Sequence, residues 1–191
     1  MQSTERYTRT AIVLHWLVAL GIVINLVLVW TVDYAPDDRQ RAMIDLHKSI
    51  GITVFGLALL RILWRYAHRP PALPAGFARW EQVAAKLAHV GLYVLMLGLP
   101  LTGWLHDSAW KAAAEHPLEL FQVIPFPRAG WVMATEPVAR EQLHKLYGSI
   151  HELLGTVLYV LLGLHIAGAL KHQLIDRYPL LARMSLTGGS R

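Results

Sequence analysis

Cysteine is absent from the chain, and that absence excludes disulfides, thiolate-held iron–sulfur clusters and the covalent C-x-x-C-H attachment of haem. Any metal must sit on histidine or oxygen. Charge is scarce as well. Asp, Glu, Lys and Arg make up 16% of the 191 residues and hydrophobic residues 54%, whereas a soluble domain carries about 25% charged residues. A chain this apolar is expected in a membrane. A cleaved leader is not expected, because the first apolar run outlasts a signal-peptide core and no A-x-A site follows it. The formal charge of +5 does not point to nucleic acid, since it follows from an asymmetry between loops.

The apolar residues fall in four runs, at 10–31, 46–66, 83–104 and 147–171. Each is near the length of about 20 residues that a spanning helix needs. The expectation is an all-α integral membrane four-helix bundle forming one domain over residues 1–191. Between the runs lie a turn-rich acidic segment, DYAPDDRQR, and a proline-rich loop, HRPPALPAGFARW, that cannot stay helical. The longest loop is 105–146, in which AWKAAAEH suggests a short surface helix and Pro-Phe-Pro at 125–127 a turn. Pro100 predicts a kink near the end of the third run. Trp16, Trp30, Trp64, Trp80, Trp104 and Trp110 sit near span ends, as an aromatic belt does.

Four spans place both termini on one side. That side collects eleven Lys and Arg residues against seven on the other, and the other side holds ten of the thirteen acidic residues. By the positive-inside rule both termini are cytoplasmic. The loop 105–146 then faces the periplasm of a bacterial inner membrane.

The chemistry concentrates in GSIHELLGTVLYVLLGLHIAGALK, residues 148–171, where His151 and His165 lie fourteen apart in an apolar run. At about 1.5 Å per residue they share one helix face about 21 Å apart. Ionisable groups inside a spanning helix are costly and mark function. By depth, His15 meets His165 toward the cytoplasmic side, and His47 meets His151 toward the outside. Two histidines from different helices at one depth can hold haem iron axially. The bland alternative is hydrogen-bonded helix contacts or a proton relay, and pairing by depth favours ligation. His89 shares the cytoplasmic half and is an alternative to His15, or else belongs to a quinone pocket, a propionate contact or packing.

Arg61 stands fourteen residues after His47, where the fourth span has His165, and is placed to neutralise a propionate. His47-x-x-x-Gly51 also echoes His151-x-x-x-Gly155, a glycine one turn on that would let a flat macrocycle approach. Gly163, Ala167 and Gly168 are expected to allow close helix packing. His68, His106 and His116 are expected to be solvated or interfacial; His144 and His172, a turn or two from a proposed ligand, are within reach of a propionate or substrate, with a surface role the expectation.

Four stretches carry a family resemblance: RTAIVLHW (9–16), LHKSIG (46–51), AHVGLYVLMLGLPLTGW (88–104) and HELLGTVLYVLLGLH (151–165). With them the chain resembles the bacterial cytochrome b561 family, within the wider group that includes membrane cytochrome b subunits of formate dehydrogenase and nickel–iron hydrogenase. The resemblance implies two non-covalent, bis-histidine b haems, His15 and His165 on the cytoplasmic one and His47 and His151 on the periplasmic one. It also implies electron exchange with ubiquinone, and a related class oxidises periplasmic superoxide. The expected function is electron transfer from a periplasmic donor such as superoxide to ubiquinone. Arg39, Arg41, Lys48, Arg140 and Lys145 would attract the anion. The alternative is a cytochrome b subunit relaying electrons from a partner dehydrogenase. No soluble domain or docking extension is expected, so a soluble redox partner is not required. A proton-coupled transporter fits less well, because no duplicated broken helix is present.

Overall fold

In the computed structural model, residues 6–71 and 76–186 are described. Four helices are long and apolar enough to cross a membrane: α1 (Arg9–Thr31), α2 (Asp37–Ala67), α3 (Arg79–Ser108) and, after the short α4 (Gly130–Met133), α5 (Pro137–Leu170). A two-stranded hairpin of β1 (Glu119–Leu120) and β2 (Ile124–Pro125) lies between α3 and α4, and α6 (Leu180–Arg183) follows α5. We call the end holding the start of α1 and the end of α5 the terminal end, and the opposite one the loop end.

Local chemistry sets the helix limits. Thr8 Oγ1 accepts from the Ala11 amide at the start of α1, satisfying one of the amides a helix leaves bare. α2 begins at Asp37, earlier than the apolar run alone suggests, because Pro36 precedes it and Asp37 and Asp38 occupy its first turn. Carboxylates there are favoured by the helix dipole. α5 likewise begins early, with Pro137 in the first turn, where proline's missing N–H costs nothing. In α3 the Glu81 carboxylate accepts from the Ala78 amide at 3.0 Å. Pro100 lies inside α3 and removes the donor that the Met96 carbonyl would otherwise have.

The loop end corrects one expectation and adds an element that none foresaw. AWKAAAEH forms a run of turns, not a helix. So short an isolated helix is marginal, and the Ala113 and His116 carbonyls go to Arg128 Nη1, each at 2.6 Å. The hairpin had no clear signature, since its turn carries Phe121 and Gln122 at φ 54° and 60° in place of the usual Asn-Gly. The Phe121 amide donates to Ser49 Oγ at 2.9 Å, which ties the turn to α2.

α1 packs on α2 and α3 on α5, with α2 against α3 joining the two halves. Val18, Val54, Ala58 and Met96 bury one cluster, and Leu92, Leu95 and Leu158 another. Two glycines permit the close approaches: a Cβ at Gly21 would lie 2.6 Å from Val54 Cγ2, and one at Gly91 2.7 Å from Leu161 Cδ1. The expected packing at Gly163 and Gly168 is not found, because a Cβ at either would meet nothing within 4 Å. Outward-facing Leu63, Leu87, Leu153 and Leu164 are each more than 60% exposed. In water that apolar surface would be costly; in a bilayer it is the solvated face.

Candidate functional site

α5 makes its backbone packing with α3 and stands off from α1 and α2. Across that separation its two half-buried histidines meet partners from the other half. His165 faces His15 of α1 with ring centroids 6.3 Å apart, and His151 faces His47 of α2 at 6.1 Å. The rings of both pairs are steeply inclined, by 67° and 81°. The helical repeat puts the two pairs about 21 Å apart along α5.

His151 is fixed from behind. Its Nδ1 lies 3.0 Å from the Leu99 carbonyl and 3.2 Å from Thr102 Oγ1. A Cβ at Gly103 would lie 3.1 Å from His151 Cε1, so glycine makes room for the ring. Neither Leu99 nor Thr102 stands out in the sequence. The nearest signal is GLPLTGW, where a proline and a glycine flank the threonine inside an apolar run.

The terminal-end pair is surrounded differently. The His89 ring lies 5.2 Å from that of His165. The Arg61 guanidinium sits 5.4 Å above the ring of Tyr93, which lies one helical turn after His89 on α3. The Nδ1 atoms of His15 and His47 are buried without a hydrogen-bond partner among the described residues, an arrangement that costs free energy in a completed site.

Other histidines have structural partners. His106 corrects an expectation: it is half-buried and stacked on His144 at 3.9 Å, and each Nδ1 contacts the other's backbone carbonyl, at 2.8 and 3.0 Å. This reciprocal clasp fastens α3 to α5 beyond the loop-end pair. His68 stacks on Trp64 and His116 on Trp110. His172 stacks on Phe77 and contacts Asp176 at 2.6 Å. Lys171 joins Glu81 of α3 to Asp176.

Sequence reasoning also missed a buried ion triad. Asp107 accepts from Lys48 Nζ at 2.7 Å and from Arg128 Nε at 2.8 Å. It links the residue after His47 to the end of α3 and to the loop, so the loop is held down beside the loop-end pair.

A family model described as prokaryotic cytochrome b561 matches residues 6–186. The chain belongs to the prokaryotic cytochrome b561 family. Cytochrome b561 homolog 2 of Escherichia coli is 31% identical over 185 residues, covering 94% of this chain and 91% of that protein. Cytochrome b561 homolog 1 of the same organism is 26% identical over 182 residues, covering 94% and 97%. A protein of Yersinia pestis named probable superoxide oxidase CybB is 28% identical over 188 residues, covering 94% and 96%. The chain is therefore a bacterial membrane cytochrome b, and the family implies b-type haem and electron transfer.

The residues of this cytochrome fit such a group. With a metal–nitrogen bond of about 2.0 Å and a ring centroid about 1.1 Å behind the nitrogen, two imidazoles on opposite sides of one metal have centroids about 6.2 Å apart. The His15–His165 and His47–His151 separations match that span, and the 5.2 Å between His89 and His165 is too short for it. On His151, Leu99 accepts the Nδ1 proton, leaving the Nε2 lone pair for a metal. A Cβ at Gly155 or Gly168, each a turn beyond an α5 histidine, would meet nothing within 4 Å. A flat macrocycle can approach the helix there.

Proposed function

We propose that the chain is a membrane oxidoreductase in which one domain, residues 1–191, holds two non-covalent b haems and passes electrons from periplasmic superoxide to ubiquinone. His15 and His165 hold one haem, and His47 and His151 the other. Bound haem supplies a one-electron Fe3+/Fe2+ couple. The chain's part is to ligate it, orient the ligands, keep water away and set the charge nearby. The observation that carries the reading is the matched ring separation of two pairs stacked along α5, 6.3 and 6.1 Å. Arg61 is the counter-charge for a propionate at the His15–His165 site.

The direction across the membrane rests on charge. Both termini lie in the cytoplasm, on the side richer in Lys and Arg, and the loop over 105–146 faces the periplasm of the inner membrane. Superoxide as donor is supported by the name of the Yersinia pestis relative. Of the five loop-end cations, Arg41 and Lys48 pair with Asp45, and Lys145 with Glu141. Arg39 and Arg140 have no acidic partner among the described residues, but Arg140 is half-buried and donates to the Met133 carbonyl at 3.4 Å, so the exposed Arg39 is the stronger attractor for the anion.

The test is spectroscopic. Purified protein should show b-haem absorption that is reduced by a superoxide source and reoxidised by ubiquinone. Haem inert to superoxide but reduced through a copurifying dehydrogenase would replace this reading with that of a relay subunit.

A further inference from the structure

The surroundings of the two histidine pairs differ with a consistent sign. At the loop end the Thr102 hydroxyl lies 2.8 Å from the Gly98 carbonyl. Its single proton goes there, so toward His151 its oxygen is an acceptor. Both neighbours of His151 Nδ1, the Leu99 carbonyl and Thr102 Oγ1, therefore accept from it. An imidazole that donates from Nδ1 is a more basic ligand, and a more basic ligand favours the oxidised metal. Lys48, beside His47, adds little positive charge because Asp45 and Asp107 both pair with it.

At the terminal end the signs reverse. No comparable acceptor faces either ring among the described residues, and His15 Nδ1 is buried without a partner. The Arg61 guanidinium stands over the ring of Tyr93, one helical turn from His89, whose own ring lies 5.2 Å from that of His165, and no carboxylate side chain pairs with it among the described residues. A positive charge that only a propionate would answer still favours the state carrying the extra electron.

We propose that Thr102 and Arg61 give the bundle a built-in electron polarity, low potential at the loop end and high potential at the terminal end. Thr102 is a positioning residue that acts through His151. Arg61 acts through space. The inference rests on the di-haem reading above. With haem held at both pairs, one electron given up at the loop end would be the one taken up at the terminal end. No bond or proton changes hands.

The experiment is a redox titration of the purified holoprotein in detergent, followed by absorbance. Two transitions are expected. The lower should vanish in His47→Ala and the upper in His15→Ala. The reverse assignment, or one shared midpoint, would overturn the proposal. Thr102→Val should move only the lower transition upward, and Thr102→Ser should restore it. Arg61→Gln should move only the upper transition downward. Midpoints unmoved in both, or moved equally in each, would overturn the assigned roles even if the order held. Absence of haem would instead overturn the reading on which the inference rests.

Discussion

The two ends of the bundle hold similar histidine pairs in dissimilar settings. At the loop end, His151 is hydrogen-bonded from behind, the His106–His144 clasp closes the helix pair beyond it, and Asp107 pins the loop through Lys48 and Arg128. At the terminal end the rings have no such braces among the described residues, and a half-buried arginine stands over Tyr93, one turn from His89. One bundle can thus give the same ligand chemistry two environments. Hydrogen bonds behind the rings and nearby charge, rather than the paired residue type, distinguish the two ends.

Removing a ligand tests the comparison most severely. His151→Ala should halve the haem content by emptying the loop end while the terminal end stays loaded, as measured by haem extraction against protein concentration. Loss of both haems, or of neither, would contradict independent pairing. Next in size is the loop-end brace. Asp107→Ala leaves Arg128 with an uncompensated buried charge, while Lys48 keeps Asp45, and breaking such a buried pair costs about 3–5 kcal/mol. Thermal unfolding in detergent should show a large drop, whereas Glu141→Ala, which breaks only the exposed pair with Lys145, should change stability by about 1 kcal/mol or less.

Smaller again is crowding behind the ligand. Gly103→Ala brings a methyl group to 3.1 Å from His151 Cε1, and overpacking of this kind costs about 1–3 kcal/mol. It should weaken haem retention at the loop end and leave the terminal end unchanged. Haem release on dilution measures both. The smallest effect belongs to the terminal end. Hydrogen bonds from Lys171 and then from His172 hold the Asp176 carboxyl below its usual range. A depressed carboxylate contributes stability above its unfolded pKa and loses it as pH falls through the folded value. Amide exchange over 171–176, corrected for intrinsic rate, should therefore quicken on acidification below about pH 4. Because the group is exposed, the change should be slight and confined to that end.

Much of this was legible in the sequence because it is periodic. The four apolar runs locate the spans, and the fourteen-residue interval between His151 and His165 places two rings on one face of α5. What stayed hidden is set by contacts between segments distant in the chain. Leu99 and Thr102 lie 52 and 49 residues from His151, and no local pattern announces that they meet it. Asp107 reads as one more loop carboxylate until Lys48 and Arg128 close on it. His106 reads as interfacial because it follows the end of an apolar run, but its partner His144 lies in the first turns of α5, before 147, that the run at 147–171 omits. Gly163 and Gly168 seemed suited to helix packing, yet the packing glycines are Gly21 and Gly91. Composition identifies small residues; only the packed helices show which of them face a neighbour.

The most direct measurement of the central claim is a reduced-minus-oxidised spectrum of the purified chain with haem quantified per polypeptide. Two b haems per chain are expected, one for each histidine pair. A single haem would contradict the paired arrangement along α5, and none would contradict both sites.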